Sequence, residues 1–173
     1  MSLKAFADTL PDYAKDLRLN IGSLISDQTL GDQRKYGLLL TTAHGTGYRP
    51  LVEATEAEVE GKLSPEAANA ARAAAAIMAM NNVYYRFTHL ASNKEYSQMP
   101  AKLRMNVIGS PGIDKADFEL FSLAVSAQNG CGMCIDSHEK MLKQHGVNAE
   151  TIQAAARIGA VMTAVATVHS AAF

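Results

Sequence analysis

The sequence is poor in the residues that mark several classes of protein. Its 173 residues include no tryptophan, two cysteines and five prolines, and only 6% of them are aromatic. Two cysteines are too few for the disulfide framework of a small secreted protein. The formal net charge of the chain is −1. Nucleic-acid-binding proteins typically carry an excess of basic residues, so we expect no nucleic acid partner.

Long apolar segments are also missing. The segment Met1–Tyr13 contains no apolar stretch of the kind found in signal peptides. The most apolar run, Ile158–Val168, is shorter than the roughly 20 residues needed to cross a bilayer. We therefore expect no membrane segment and a cytoplasmic protein, in which two neighbouring thiols are more typical of redox or metal chemistry than of a structural disulfide.

Alanine is the residue that the sequence has in abundance, with 29 copies. Alanine loses no side-chain entropy in a helix and lets helices approach closely, so the composition favours an all-α protein. We predict one domain covering residues 1–173. Its clearest helix start is Ser64-Pro65-Glu66, which combines a capping hydroxyl, a proline suited to the first position and an acid at the positive end of the helix dipole.

The other predicted helices follow from apolar spacing and from glycine or proline stops. They cover about residues 3–10, 12–26, 31–44, 50–60, 115–128, 131–144 and 149–169, and the helix that begins at Ser64 runs to about residue 90. A polar loop is predicted over residues 91–100, followed by a short helical piece at 103–108.

The two halves of the sequence match in layout when one is shifted by 84 residues. The coinciding residues include Leu39 and Leu123, Ala43 and Ala127, Glu66 and Glu150, and Met78 and Met162. We interpret the match as an internal duplication with repeats at about 31–90 and 115–173. The first repeat has Gly47 and Pro50 where the second has its two cysteines, so the chemistry is expected in the second repeat alone.

Cys131 and Cys134 form a Cys-x-x-Cys motif behind Gly130, at a predicted helix start. At this spacing two cysteines can close and reopen a disulfide within one turn, and a helix N-terminus stabilises a thiolate. The motif fits redox or metal chemistry without choosing between them, and two buried cysteines that merely lie close are the simpler alternative. No second such motif or fourth ligand is evident for a zinc site, so we expect no metal.

Two further side chains could assist the cysteines. His138 lies four residues after Cys134 and seven after Cys131, on one helical face, where an imidazole can exchange protons with a thiol. Glu119 lies on a polar stripe of the preceding helix, and an antiparallel return could bring it to His138. The alternatives are a surface histidine and a solvated helix face that carries one acid.

The remaining signals are weaker. His44 and His89 have no partner by spacing, and His145 is expected at the end of its helix or on the surface. The aromatic cluster Tyr84–Phe87 predicts helix packing or an oligomer contact. The sequence contains no phosphate-binding glycine loop and no Gly-x-Ser-x-Gly motif of a serine hydrolase.

Several segments together resemble the AhpD alkylhydroperoxidases, over nearly the whole chain. The segments that carry the resemblance are Leu10–Asp16, Met78–Arg86, Leu103–Ile108, Pro111–Ile113, Phe118–Leu120, Val125–Ala127, Asn129–Cys134 and His138-Glu139. The Cys-x-x-Cys motif alone is shared with the wider carboxymuconolactone-decarboxylase-like superfamily. The resemblance implies an all-helical fold, commonly a homotrimer, and the thiol-dependent reduction of organic hydroperoxides.

The resemblance also implies roles for individual residues. Cys134 matches the cysteine that becomes a sulfenic acid, and Cys131 matches its partner and proton donor. Glu119 and His138 match the proton relay of the family. Well-known members carry a histidine between the cysteines where this chain has Met133, so here the relay rests on Glu119 and His138.

The partners that the resemblance implies are proteins and a small dithiol. No cofactor is bound, and the disulfide is re-reduced by dihydrolipoamide carried on a 2-oxoacid dehydrogenase subunit. The family can also reduce a two-cysteine peroxiredoxin, AhpC. We therefore predict an antioxidant thiol peroxidase. The alternative is a metal-binding or redox-sensing helical protein that uses Cys131, Cys134 and His138 without peroxidase turnover.

Overall fold

The computed structural model describes residues 1–172 and contains ten α-helices and one short 3₁₀ helix at Asp12–Ala14. The α-helices are α1 (Leu3–Ala7), α2 (Lys15–Ser26), α3 (Asp32–Thr46), α4 (Arg49–Val59), α5 (Pro65–Leu90), α6 (Glu95–Gln98), α7 (Asn106–Gly109), α8 (Lys115–Gln128), α9 (Gly132–Gln144) and α10 (Ala149–Ala172). No strand occurs within residues 1–172, so the predicted all-α class is confirmed.

The two longest helices begin at the caps that the sequence predicts. Ser64 Oγ accepts a hydrogen bond from the backbone N–H of Ala67 at 3.1 Å, at the start of α5. Asn148 Oδ1 accepts one from the backbone N–H of Thr151 at 2.8 Å, at the start of α10. These side chains satisfy backbone donors that the first helical turn leaves unpaired.

Other boundaries differ from the predictions by a few residues. The first helix ends at Ala7 rather than Leu10, and the predicted loop over residues 91–100 contains the single turn α6. The third helix continues two residues past His44 because Gly47, with a φ of 67°, provides the left-handed stop.

Helices α3, α5, α8 and α10 form the centre of the molecule. The middle helix α8 packs against α3, α5, α9 and α10, and it is buried on every side from Ala116 to Ser126. Alanines give α5 a small buried face, with Ala67, Ala71 and Ala74 fully buried, which allows close packing against its neighbours. Helix α9 lies against both α8 and α5, and this three-helix contact positions the cysteines.

The order of helices in residues 32–90 recurs in residues 115–172, as a medium helix, a shorter one and a long alanine-rich one. Positions 84 residues apart also meet directly, because Gln33 Nε2 donates to Asp117 Oδ2 at 2.7 Å. Such a layout agrees with the predicted repeats at 31–90 and 115–173. A shared order does not by itself establish common descent, so the duplication stays a prediction.

One helix of the described residues, α10, is long and apolar enough to cross a membrane by length and composition alone. Its inner residues, including Ile158, Met162 and Val165, are buried against the rest of the chain. A buried core helix satisfies the same criteria, so α10 is weak evidence for a membrane segment.

Candidate functional site

A tight turn between α8 and α9 builds the site. Asn129 and Gly130 follow the last residue of α8, and Gly130 has a φ of 64°, a conformation that side chains other than glycine rarely adopt. The backbone N–H of Cys131 donates to the carbonyl of Ser126 at 3.1 Å across this turn. Helix α9 therefore runs back along α8.

Cys131 and Cys134 are joined by a disulfide, with their Cα atoms 5.3 Å apart. Cys131 is the N-cap residue of α9, and Cys134 lies in its first turn. Both are buried, with exposed fractions of 0% and 6%. The predicted pairing thus occurs within a single turn at a helix N-terminus, where the helix dipole favours a thiolate once the disulfide is reduced.

The structure brings Glu119 and His138 together in the interior. Glu119 Oε2 accepts a hydrogen bond from His138 Nδ1 at 2.7 Å, and the two residues are only 4% and 8% exposed. The alternatives of a surface histidine and a solvated acidic face are therefore wrong. The polar stripe of α8 is buried because α5 and α9 both cover it.

Met78 makes the second polar contact of His138. Its Sδ lies 3.3 Å from His138 Nε2. Met78 belongs to α5, 60 residues earlier in the chain, and its spacing from the cysteines predicts no role in the site. The sequence feature that could have revealed this part of α5 is the pair Asn81-Asn82, one turn after Met78. Two buried amides on an otherwise apolar helix require polar partners, so they indicate a polar site nearby.

A chain of hydrogen bonds fixes the turn before the cysteines. Asn82 Nδ2 donates to Ser126 Oγ at 2.9 Å, and Asn129 Nδ2 donates to Asn82 Oδ1 at 2.9 Å. Arg86 donates through a guanidinium nitrogen to the backbone carbonyl of Asn129 at 2.6 Å. Helix α5 thereby holds the end of α8 and the turn that leads to Cys131.

A pocket of about 480 Å³ opens beside the disulfide. Its lining includes Cys134, Glu119 and His138, whereas Cys131 is not part of it. Four methionines contribute to the wall, namely Met78, Met105, Met133 and Met141. Met133, which stands between the cysteines, thus adds apolar surface to the pocket rather than a titratable group.

Two other histidines, His44 and His145, do not line this pocket. His44 has a partner, since its Nε2 lies 2.9 Å from Glu56 Oε1, so the expectation of an isolated residue is wrong. Glu56 also receives two hydrogen bonds from Arg72, which with His44 hold the pKa of the Glu56 carboxyl below its usual range. His145 caps the end of α9, as predicted.

Within residues 1–172, no group of three or more His, Cys, Asp or Glu side chains is arranged to hold a metal ion. The sulfurs of Cys131 and Cys134 are bonded to each other in this structure.

The fold and the site define an all-helical protein with a buried Cys-x-x-Cys disulfide beside a Glu–His pair. A family model described as the carboxymuconolactone decarboxylase family matches residues 94–173. Alkyl hydroperoxide reductase AhpD of Rhizorhabdus wittichii is 81% identical over 172 residues, which cover 99% of each chain. Proteins of the same name are similar as well, at 63% identity in Rhodopseudomonas palustris (96% of this chain, 92% of the relative) and 62% in Hyphomonas neptunium (99% and 95%).

The chain belongs to the AhpD family of alkyl hydroperoxide reductases. It is accordingly an antioxidant oxidoreductase of the peroxidase type. The resemblance noted in the sequence is confirmed over almost the full length of the chain.

Proposed function

We propose that this protein reduces organic hydroperoxides at Cys134, forms a disulfide with Cys131 and is re-reduced by dihydrolipoamide. The observation that carries the proposal is the position of Cys134, which lines the same pocket as the buried Glu119–His138 pair. The apolar wall of this pocket suits the alkyl part of a hydroperoxide.

The reaction begins from the reduced protein. The Cys134 thiolate attacks the terminal oxygen of the hydroperoxide, the O–O bond breaks, and the departing alkoxide takes up a proton to become an alcohol. Cys134 is then a sulfenic acid. The Cys131 thiol attacks this sulfur, water leaves, and the disulfide forms. The hydroperoxide has been reduced by two electrons, and the two thiols have supplied them.

Glu119 and His138 act as the proton relay of this reaction. The attacking thiol must lose a proton and the alkoxide must gain one, and a buried imidazole that is held by a carboxylate can exchange both. Met133 cannot replace them, because a thioether does not titrate. We propose that the pair of Cys131 and Cys134 performs this chemistry without a bound cofactor.

Dihydrolipoamide closes the cycle by thiol–disulfide exchange, which converts it to lipoamide and restores both cysteines. We propose that it reaches the site on the swinging arm of a lipoyl-bearing 2-oxoacid dehydrogenase subunit. The peroxiredoxin AhpC is a second acceptor of electrons from the reduced cysteines. These partners rest on the family resemblance and on the disulfide at the wall of an open pocket.

The protein is further proposed to be a cytoplasmic homotrimer. Apolar side chains are exposed along the last turns of α5 and just beyond it, where Val83, Phe87, Leu90 and Met99 are each more than half exposed. Burial of such side chains between copies of the chain would stabilise an oligomer. Light scattering coupled to size exclusion should give three times the chain mass of 18.5 kDa.

Turnover of an alkyl hydroperoxide with dihydrolipoamide tests the proposal. The wild-type protein should turn over continuously, and Cys134→Ser should be inactive. Without dihydrolipoamide, Cys131→Ser should release about one equivalent of alcohol and then stop, because its sulfenic acid has no partner thiol within the protein. Glutathione in place of dihydrolipoamide is the matched reductant control. Disulfide formation without any catalytic release of alcohol would favour the redox-sensing alternative.

A further inference from the structure

Asn81 is a buried polar residue in the lining of the pocket beside the disulfide. It lies on α5 between Met78 and Tyr85, which line the same pocket one turn before it and one turn after it. Asn81 is only 5% exposed, and its Oδ1 is a buried acceptor without a hydrogen-bond partner among residues 1–172. The neighbouring Asn82, in contrast, uses both ends of its amide in hydrogen bonds to the chain.

The same residue lies next to the sulfur of Cys134. The backbone carbonyl oxygen of Asn81 is 4.0 Å from Cys134 Sγ, so α5 carries the amide alongside this sulfur. Leaving a buried amide oxygen unpaired is costly, and native proteins rarely do so without a reason. Glu119 and His138, two other polar residues of the pocket, are bonded to each other. The Asn81 amide is therefore a polar group of this pocket that a ligand can engage.

We propose that the Asn81 amide binds the two oxygens of the hydroperoxide and holds the terminal one at Cys134 Sγ. A hydroperoxide carries a donor O–H next to an acceptor oxygen, and a primary amide carries the matching acceptor and donor side by side. Rotation about the last side-chain bond of asparagine is soft, so Oδ1 can turn to a ligand in the pocket. The consequence for turnover rests on the proposed function, whereas the binding of the hydroperoxide group does not.

Each end of the amide has a part in the reaction. Oδ1 accepts the hydrogen bond of the terminal O–H, and this oxygen keeps its hydrogen when the Cys134 thiolate attacks it and a sulfenic acid forms. Nδ2 donates to the inner oxygen, on which negative charge builds as the O–O bond breaks. The alkoxide then takes its proton from the Glu119–His138 relay. The amide thus stabilises developing charge without gaining or losing a proton.

The two halves of the catalytic cycle, measured separately in Asn81→Leu, test this role. Oxidation of the reduced protein by tert-butyl hydroperoxide, followed as loss of free thiol, should slow by on the order of 10²-fold, as for one lost oxyanion donor. Reduction of the disulfide by dihydrolipoamide should stay within about two-fold of wild type, because thiol–disulfide exchange breaks no O–O bond. Urea unfolding should occur at the same or a higher concentration, since the lost oxygen has no partner in the folded chain.

Asn69→Leu is the matched control, because it makes the same change on α5 outside the pocket. Both half-reactions should keep their wild-type rates in this variant. Equal slowing of the two half-reactions in Asn81→Leu would assign Asn81 a structural role and overturn the proposal. An unchanged rate of oxidation by the hydroperoxide would overturn it as well.

A binding measurement keeps the proposal testable even if Asn81→Leu fails to fold. In the unreactive double variant Cys131→Ser/Cys134→Ser, tert-butyl hydroperoxide should shift the side-chain amide NMR signals of Asn81. The ether tert-butyl methyl ether, which has no O–H, should shift them much less, and equal shifts or none would overturn the proposal.

The same measurements separate this proposal from the proposed function. If the hydroperoxide shifts the Asn81 signals but the wild-type protein does not turn it over, the binding role holds and the proposed function fails. If the wild-type protein turns over hydroperoxide and Asn81→Leu is equally fast, the role of Asn81 fails and the proposed function stands.

Discussion

Cys131 and Cys134 differ in their surroundings although only two residues separate them. Cys134 lines the pocket, while Cys131 is fully buried at the N-cap of α9. The dipole of α9 acts on both sulfurs. The two cysteines therefore differ in their access to the pocket rather than in the stabilisation of their thiolates. The burial pattern therefore supports Cys134 as the sulfur that meets the peroxide.

Dimedone labelling checks this assignment. In Cys131→Ser treated with one equivalent of hydroperoxide, we expect a sulfenic acid at Cys134, detected by mass spectrometry of the labelled peptide. Cys134→Ser should show little label under the same conditions, because Cys131 does not line the pocket. Stronger labelling of Cys131 in Cys134→Ser would reverse the assignment.

The Glu119–His138 hydrogen bond predicts that the two residues act as one unit. General acid–base assistance is typically worth about 10²–10⁴ in rate, so Glu119→Gln and His138→Gln should each lower hydroperoxide turnover by on the order of 10²-fold. The double variant should lose little more than either single one, because each loss already disables the pair. Circular dichroism verifies that the helices persist.

Full activity of His138→Gln would remove the relay from the mechanism and leave the helix dipole to activate the thiols. Ser137→Ala serves as a control on the same helix, since Ser137 lines the pocket and the Glu119–His138 hydrogen bond does not involve it. Its turnover should stay within a few-fold of wild type.

At the scale of the element, Glu56 ties three helices together. It lies on α4 and accepts hydrogen bonds from Arg72 of α5 at 2.8 and 2.6 Å, while His44 of α3 lies 2.9 Å away. Arg72 above all lowers the pKa of the Glu56 carboxyl. A carboxyl with a lowered pKa in the folded state stabilises the fold above its unfolded pKa, near 4.5, and loses that contribution as the pH falls further.

Glu56→Gln should therefore lower the free energy of unfolding by about 1 kcal/mol or less at pH 7, because the side chain is partly exposed. It should also flatten the loss of stability between about pH 5 and 3. Urea unfolding at several pH values measures both effects. Glu53→Gln on the same helix is the control, since its pair with Arg49 is exposed; equal pH profiles for the two variants would contradict the prediction.

The elements themselves were largely predictable from local signals. Ser64 and Asn148 mark the starts of α5 and α10, because capping depends on residues within one turn. The burial of Glu119 was not predictable in the same way. Periodicity shows which residues of α8 share a face, but the burial of that face depends on α5, whose Met78 and Asn82 come from a distant part of the chain.

At the scale of the whole molecule, the close approach of α3 and α8 holds the two halves together. Gly37 of α3 faces the ring of Phe121, and a Cβ on Gly37 would overlap that fully buried ring. Phe121 lies two residues after Glu119 on α8. The separation of these two helices therefore helps to set the position of the Glu119 carboxylate relative to α9.

Gly37→Ala should destabilise the protein by about 1–3 kcal/mol, the usual cost of overpacking a core, less a gain in helix propensity of roughly 0.5–1 kcal/mol. Gly22→Ala in α2 isolates that gain, since nothing lies within 4 Å of its added Cβ, and should stabilise the protein slightly. Combining Gly37→Ala with Phe121→Leu should cost less than the sum of the two single changes, because the smaller side chain relieves the overlap. If instead the two glycine variants unfold at the same urea concentration, the contact of α3 with α8 is loose enough to absorb a methyl group. The rate of hydroperoxide turnover is a second measurement. Displacement of α8 should lower kcat in Gly37→Ala even under conditions where the variant stays folded.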